Sequence, residues 1–490
     1  MDTHFGRIFE PTIDLGYTVT MVGTPTKDKS VDAYKMVKNV ATAEQVKDLC
    51  GEESAIYQAY TKAFRKVDVY GQIALNLVLV PTGGDNPTAT IQTMTVTGTP
   101  TVKGKATLKI MNRTYTYDYQ ESASAADMLN DLNTHINNDV KCDFKSEVEG
   151  TDKLKLTAKV ADVYYDDKKP VLVCTTEGFV ATVETTNATQ TTDLSGLSAF
   201  LDKKGVKSKW YLIQDGFVVE PFLEWLGVQQ TIDNRDMIGS YAYAKYDTLN
   251  NLLEEAEQMN KPYVTLIGYK TGALDYTPFE LATLHIALVA LVATAGADCS
   301  KYLSDSPVGS LSNLSKPLAG CAFTFANITE GFEWTNEEKK LLGKHGVWTG
   351  FNNPAGNLAV YRETTTMNKT NEGKEITTYR YLNANECSTA AISYMWQVID
   401  NQFQHKTLDE SQVASIRTTL GDCYDELSKP NGDVYVLDAR GKEDFTTSLA
   451  NSMKINYAEG SVTFSKVVDT VLSQLREITA YFSDQFYEEE

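Results

Sequence analysis

Residues 73–80, Ile-Ala-Leu-Asn-Leu-Val-Leu-Val, form an almost continuous apolar run that stops at Pro81 and the glycine pair Gly83-Gly84. A strand with one face in water alternates apolar and polar residues, whereas a continuous apolar strand is typical of a sheet that helices cover on both faces. The run therefore predicts an α/β layer.

The segments around this strand continue the same pattern. Before it, residues 43–65 carry apolar side chains at helical spacing, from Ile56 to Phe64. Much later in the chain, 210–213 is a short apolar strand, Asp247 is placed to cap a helix, and 263–267 is another buried strand. Because helices and strands alternate, we expect the α/β layer to resume there.

Residues 87 to about 195 differ in composition, being rich in Thr, Val and Lys. Period-two alternation is clear in 93–97, 106–110 and 154–158, which predicts half-buried strands. One helix interrupts them, with Ser124 as its N-cap and an apolar face that ends at Ile136. This region is predicted to be a β-rich domain inserted between two halves of the α/β domain.

The last third of the chain mixes helix and strand signals. Thr335-Asn-Glu-Glu338 matches a capping box, and 347–350 and 358–362 flank turn residues as in a hairpin. Ser388 begins a predicted helix to Phe403. Two β-rich stretches, 461–468 and 475–486, close the chain.

The predicted fold class is a multidomain α/β (α+β) protein, whose 490 residues exceed one typical core. The α/β core domain is interrupted by the β-rich insert and flanked by extended strand-bearing arms. The predicted divisions are an N-terminal arm (1–30), the first part of the α/β domain (31–86), the insert (87–198), the second part of the α/β domain (199–330), a C-terminal domain (331–460) and a C-terminal strand arm (461–490).

The charge balance narrows the choice of partners. Sixty-five acidic and 45 basic side chains give a formal charge of −20, which disfavours nucleic acid and anionic membranes. The longest apolar run, 281–297, is shorter than a bilayer requires and predicts a buried helix rather than membrane insertion. Seven scattered cysteines without a C-x-x-C pair indicate reduced thiols in a cytosol.

The sequence contains no recognisable pattern for catalysis or cofactor binding. The five histidines are far apart and lack metal-ligand spacing, and nucleotide-binding glycine loops and a G-x-S-x-G motif are absent. His285, within an apolar run, is interpreted as a hydrogen-bonded core histidine. No catalytic, cofactor-binding or metal-binding residue is predicted, and no cofactor.

Both ends of the chain carry β-forming segments that lie apart from a folded body. An isolated strand leaves its backbone groups unpaired, and joining the sheet of another chain satisfies them. In an ordinary protein such segments pair within their own subunit, and that alternative stays open. The predicted inter-subunit strand interface comprises Tyr17, Thr18, Val19, Thr20, Met21, Val22, Arg476, Glu477, Ile478, Thr479, Ala480, Tyr481 and Phe482.

Four ordered stretches together resemble the tail sheath proteins of Mu-like contractile phages. They are 51–66 with the strand that ends at Pro81, the insert from Met94 to Lys159, the helix and hairpin of 334–347 and 356–366, and the terminal strand 475–482. The agreement is best from about 330 to 405. The first 15 residues and 214–240 have no counterpart in that pattern.

The resemblance implies a sheath subunit that forms stacked hexameric discs around an inner tail tube. It further implies a tail tube protein, baseplate and tail terminator proteins as partners, no cofactor, and a place in the virion tail after synthesis and assembly in the host cytoplasm. Contraction would drive the tube through the target cell envelope. The sheath of a bacteriocin-like particle fits the same motifs.

Two other classes of protein remain possible from sequence. The insert could be an adhesin-like, Ig-like module displayed on a virion or cell surface. An α/β enzyme could build its site from residues distant in sequence, although the usual motifs are missing.

Overall fold

A computed structural model describes the protein over residues 18–64, 74–81, 88–111, 113–160, 163–188, 194–206, 208–229, 239–270, 276–295, 331–352, 358–369, 373–375, 382, 398–399, 401–403, 409–428, 454–456 and 461–463. The fold is mixed α/β with several sheets, and a β-rich segment interrupts the main sheet, which confirms the predicted fold class.

The strands are β1 (Thr18–Gly23), β2 (Lys35–Val40), β3 (Ala74–Leu79), β4 (Ile91–Thr97), β5 (Gly104–Ile110), β6 (Arg113–Tyr119), β7 (Phe144–Glu149), β8 (Lys153–Ala158), β9 (Val171–Cys174), β10 (Val180–Thr186), β11 (Trp210–Ile213), β12 (Ser240–Tyr246), β13 (Val264–Tyr269), β14 (Val347–Asn352), β15 (Leu358–Arg362), β16 (Lys454–Asn456) and β17 (Ser461–Thr463).

The helices are α1 (Ala43–Cys50), α2 (Ala55–Lys62), α3 (Ala125–Asn138), α4 (Leu197–Lys204), α5 (Glu220–Gln229), α6 (Leu249–Met259), α7 (Pro278–Ala295), α8 (Asn336–Lys344) and α9 (Glu410–Ser428). Short 3-10 turns lie at Lys27–Lys29 and Val163–Tyr165.

The main sheet has eight strands in the order β15-β14-β13-β12-β11-β1-β3-β2. The six strands from β14 to β3 are parallel, and one antiparallel strand lies at each edge. β3 is the strand predicted from the apolar run of 73–80. Its side chains are buried on both faces because helices cover both sides of a parallel sheet.

Helices α1, α2 and α7 cover one face of this sheet, where they pack with Val19, Leu77 and Trp210. Helices α4 and α5 cover the other face around Tyr211, and α6 and α8 extend that layer around Leu266. Capping residues in the sequence explain where two of these helices begin. Thr42 forms a capping box with Gln45 at the start of α1, and the predicted box of Thr335 and Glu338 is present at the start of α8.

Residues 18–22 belong to the predicted inter-subunit strand interface, and in this structure they are part of the strand β1. β1 lies inside the main sheet, parallel to β11 on one side and to β3 on the other. Val19, Met21 and Val22 are fully buried, and burying one such side chain stabilises the fold by about 1.5–3 kcal/mol. The sheet of the same chain thus satisfies both the backbone and the side chains. Tyr17 lies outside the described residues.

The segment from β4 to β10 forms two further sheets, in the orders β10-β4-β8-β7 and β6-β5-β9. Its helix α3 begins at the predicted cap, where Asp127 N donates to Ser124 Oγ at 3.1 Å, and buries Leu129, Leu132 and Ile136. In the structure the elements of the predicted insert span residues 91–186, from β4 to β10, and the insert has these bounds from here on. Its buried side chains are continuous with those of the α1, α2 and α7 layer in a single apolar cluster.

Some local predictions differ from the structure. Helix α6 is capped by Thr248, whose Oγ1 accepts from Asn251 N at 3.4 Å, while Asp247 accepts from the backbone of Thr248 itself. Both residue types can cap a helix, so sequence alone does not choose between neighbours. The predicted helix from Ser388 to Phe403 lies mostly outside the described residues.

Candidate functional site

In an open α/β sheet, ligands usually bind beyond the carboxyl ends of the strands, where the strand order reverses. Here that switch point lies between β1 and β11. Gln214 follows β11 directly, and its Oε1 accepts from Thr24 N at 2.9 Å and from Thr24 Oγ1 at 3.1 Å. A Cβ atom on Gly23 would lie only 2.6 Å from the same oxygen. A side chain of the protein therefore fills the usual position of a ligand.

The acidic groups next to this point hold helices in place. Asp215 Oδ2 accepts from Phe279 N at 2.9 Å, in the first turn of α7. The buried Glu280 binds Lys62 Nζ of α2 at 2.6 Å and also accepts from Thr277 N at 2.9 Å. Burial of the ammonium lowers the pKa of Lys62, but the attraction of Glu280 outweighs it and leaves this pKa above its ordinary value. The arrangement joins α2 to α7.

The insert makes polar and aromatic contacts with the α/β layer near the same place. Lys168 Nζ lies 4.8 Å from the ring centre of Tyr164 and 5.8 Å from that of Tyr246 in β12. Lys145 in β7 forms an ion pair with Glu53 in the turn between α1 and α2. These contacts and the shared apolar cluster fix the insert to the layer.

Among the described residues, no group of three or more His, Cys, Asp and Glu side chains is arranged to hold a metal ion. His135 and His345 each lie near one carboxylate, Asp131 at 3.5 Å and Glu257 at 3.4 Å. His4 and His405 lie outside the described residues. None of the described histidines therefore belongs to a ligand cluster.

His285 is buried in α7, as predicted, but the predicted hydrogen bond is not found. Neither ring nitrogen has a hydrogen-bond partner among the described residues, and the ring packs edge-on against Trp348 with centroids 5.4 Å apart. Burial lowers the pKa of His285 to about 3. The imidazole is therefore neutral and acts as a packing group at neutral pH.

The two edges of the main sheet are candidate surfaces for association with another chain. β2 exposes Lys35 and Lys38, and its pairing with β3 is irregular between Val37 and Val40. Asn39 lies in that irregular stretch with φ of 56°. Charges and a bulge are the devices that prevent strand addition at an edge.

β15, at the opposite edge, has an apolar beginning. Leu358, Ala359 and Val360 are buried and carry no charge. β15 pairs with β14, and no strand lies on its other side among the described residues. The remaining part of the predicted strand interface, residues 476–482, lies outside the part of the chain that the structure describes.

The chain between Trp334 and Asn368 folds as one unit around β14 and β15. Trp334 Nε1 donates to Gly268 O at 3.3 Å, and Asn368 Nδ2 donates to His345 O at 2.6 Å. Gly346 has φ of 83°, and a Cβ there would lie 2.6 Å from Thr365 O. Glycine is required at this turn because a side chain would be strained and would meet backbone.

Comparison with known proteins gives matches among solved structures only. No protein-family model matches the chain, and no curated protein matches it. Its structural neighbours include sheath tail proteins. The one from Desulfitobacterium hafniense has 10% identity and a TM-score of 0.43, and the match covers 87% of this chain and 89% of that one.

A sheath tail protein from Listeria innocua also has 10% identity, with a TM-score of 0.41 and coverage of 85% and 86% of the two chains. A chain of the anti-feeding prophage baseplate has 10% identity and a TM-score of 0.40 over 62% of this chain and 76% of that one. Within the described residues, no helix has the length and apolar character needed to cross a bilayer.

Sequence reasoning did not identify Gln214 or the two sheet edges. One signal for Gln214 was available, because a polar residue directly after an apolar strand marks the carboxyl end of a sheet. Each edge strand pairs with a strand that is near in sequence, β2 with β3 and β15 with β14, and local signals do not show which member of such a pair lies at the edge of the sheet.

Proposed function

We propose that the chain is the subunit of a contractile tail sheath. In this proposal it polymerises as stacked hexameric rings around an inner tail tube and contracts to drive the tube through the envelope of a target cell. The observation that carries the proposal is the set of four sequence motifs, which occur in sheath order along most of the chain. The tail tube, baseplate and terminator proteins are the proposed partners, and the virion tail is the proposed location.

The fold of the most specific motif supports this proposal. Residues 334–352 and 358–362 form a capped helix, a glycine turn and two antiparallel strands. The second of these strands is β15, whose first three residues are apolar and whose last residue is Arg362. An edge strand suits the addition of another strand when its side chains are buried and uncharged and no charged residue lies at its start. We assign β15 as the acceptor and residues 476–482 of a neighbouring subunit as the added strand.

The charged and bulged edge at β2 supports the same assignment by contrast. Two exposed lysines would have to lose water if a strand were added beside β2. The pairing of each edge strand has one irregularity, between Val37 and Val40 in β2 and after Val360 in β15, so the exposed charges at β2 and the uncharged run 358–360 in β15 distinguish the two edges. Strand addition at one edge only gives each subunit a direction. Head-to-tail contacts of this kind propagate as rings or helices rather than closing as a two-fold dimer.

The filled switch point fits a protein that works by assembly. Gln214, Asp215 and Glu280 all bind other parts of the chain, so the layer is held together where an enzyme of this topology would receive its ligand. In the proposal, contraction needs no cofactor. It is a downhill change between two packings of the same rigid subunits.

The test is negative-stain microscopy of the overexpressed protein together with one pair of variants. Ile478→Pro removes a backbone donor and clashes with a paired strand, so we expect striated tubes or rings from the wild type and their loss in this variant. Ile478→Val keeps the donor and the β-branched shape and should polymerise normally. A wild-type chain that stays monomeric at high concentration, or normal polymers from Ile478→Pro, would contradict the proposal.

A further inference from the structure

The insert has an edge strand that differs from β2 and β15. β9 lies at one end of the sheet β6-β5-β9 and has no strand neighbour on its outer side among the described residues. Its side chains alternate between the outer face and the interior: Val171 is 52% exposed and Val173 is 53% exposed, while Leu172 and Cys174 are partly buried. The strand contains no charged residue.

The pairing of β9 with β5 determines which backbone groups point outward. Thr175 N donates to Lys105 O at 3.0 Å, at the end of the antiparallel ladder in which Val173 opposes Thr107. Hydrogen-bonded residues alternate along such a ladder, so Val171 and Val173 direct their N–H and C=O groups toward β5. The corresponding groups of Leu172 and Cys174 therefore face outward.

We propose that β9 pairs antiparallel with β9 of a second copy of this chain, about a two-fold axis at Val173. In this register Leu172 of each copy is opposite Cys174 of the other, and the outward groups of both residues form four backbone hydrogen bonds. Val173 lies directly opposite Val173 of the second copy. β-Branched side chains so placed stabilise a strand pair.

Charges on both sides of β9 fit the same register. Lys169 and Glu177 are exposed, and neither forms an ion pair with another described residue. Lys169 precedes β9 and Glu177 follows it, so antiparallel pairing about Val173 brings Lys169 of each copy to the same end of the pair as Glu177 of the other, and the symmetry repeats this attraction. Opposite charges across a strand pair are favourable, and like charges are not.

The strand itself favours a second copy over an unrelated partner. A two-fold antiparallel pair sets the central residue against itself, so a charge there would be repelled. β9 offers an uncharged centre and complementary charges at its two ends, which together form a self-complementary surface. Copies within one polar polymer share a direction, so this contact joins free subunits or two separate polymers. The inference therefore goes beyond the proposed sheath function and does not depend on it.

Cysteine cross-linking of the full-length chain tests the register. Facing residues of a non-hydrogen-bonded pair have Cα atoms about 4.5 Å apart, within the range of a disulfide. Val173→Cys should therefore give a covalent dimer on mild oxidation. Val171→Cys is the matched control, with nearly equal exposure on the same strand. Its sulfur would lie about four residues, or roughly 13 Å, from its copy, which a disulfide cannot span.

Two further variants make the test specific. In the proposed register, position 175 of one copy lies opposite position 171 of the other. The double variant Val171→Cys, Thr175→Cys should therefore form the covalent dimer that Val171→Cys alone does not. In the Val173→Cys background, Glu177→Lys should reduce cross-linking because it sets two lysines together, and adding Lys169→Glu should recover it. The native chain, whose Cys174 faces Leu172 in this register, should give no such dimer.

Equal cross-linking of the Val171→Cys and Val173→Cys variants would indicate random collision and overturn the proposal, as would the absence of cross-linking from Val173→Cys. Non-reducing electrophoresis counts covalent dimers whether or not the chain polymerises, and microscopy of the same samples scores polymers separately. Normal polymers without the β9 dimer would contradict only the β9 proposal. A normal β9 dimer without polymers would contradict only the proposed sheath function.

Discussion

β1 (Thr18–Gly23) and β9 (Val171–Cys174) are both short, uncharged strands with two valines each, yet they have opposite positions in the molecule. β1 has a strand on each side and fully buried side chains at Val19, Met21 and Val22. β9 has one strand neighbour among the described residues and exposes both of its valines. A strand can therefore join another chain only if folding leaves one of its edges open, and its composition alone does not decide this.

The largest expected effect comes from truncating one residue of each strand. Met21→Ala should lower the free energy of unfolding by about 2–5 kcal/mol, because it leaves a cavity in a fully buried layer. Val173→Ala should change it by less than about 0.5 kcal/mol, since the side chain is half exposed. Denaturant unfolding of both variants measures the difference. Equal losses would mean that β1 is not the central strand.

A second prediction compares a buried histidine with an exposed one by the pH dependence of the free energy of unfolding. The pKa of His285 is about 3 in the folded chain and about 6.5 when unfolded, so below pH 6.5 only the unfolded chain takes up this proton. Its contribution therefore destabilises the fold as the pH falls from 6.5 toward 3, and it is absent above that range.

The measurement is the free energy of unfolding of the native chain and of His285→Phe at pH 7 and pH 5. Between these values the native chain should lose about 2 kcal/mol more than the variant. His135→Phe, which removes an exposed histidine, is the control. Parallel pH profiles for the native chain and His285→Phe would show that His285 is accessible to protons in the folded state.

The smallest expected change in stability is at the guarded edge strand β2. Replacing Lys35 and Lys38 by Val should alter the free energy of unfolding by less than about 0.5 kcal/mol, because both side chains are exposed. The same double variant should self-associate more strongly, since the charges that oppose strand addition are gone. Sedimentation velocity compares it with the Lys35→Arg, Lys38→Arg variant, which keeps both charges. Unchanged association would show that the lysines do not guard this edge.

Local signals in the sequence were sufficient for several elements. The run of 73–80 predicted the buried strand β3, the box of Thr335 and Glu338 predicted the start of α8, and period-two segments predicted β4, β5 and β8. These features are set by neighbours in sequence, where periodicity and capping are physically decided.

The destination of β1 could not be predicted in the same way. Its parallel partners begin at Ala74 and Trp210, and no local rule identifies partners at such separations. The sequence suggested an arm instead, because glycines flank the strand at 16 and 23 and the polar stretch 24–30 follows it. For the candidate surfaces, composition showed which segments form strands, but only the topology shows which of them are edges.

The single apolar cluster that runs from Val19 through Ile56 to Met94 and Leu108 bears on how force would pass through the subunit. Because the buried side chains of this route are in one cluster, a pull on the insert would reach α2 and the central strands through packed contacts. Deleting residues 91–186 would expose apolar surface on helices α1, α2 and α7 of the α/β layer. The shortened chain would aggregate unless polar side chains replaced that surface.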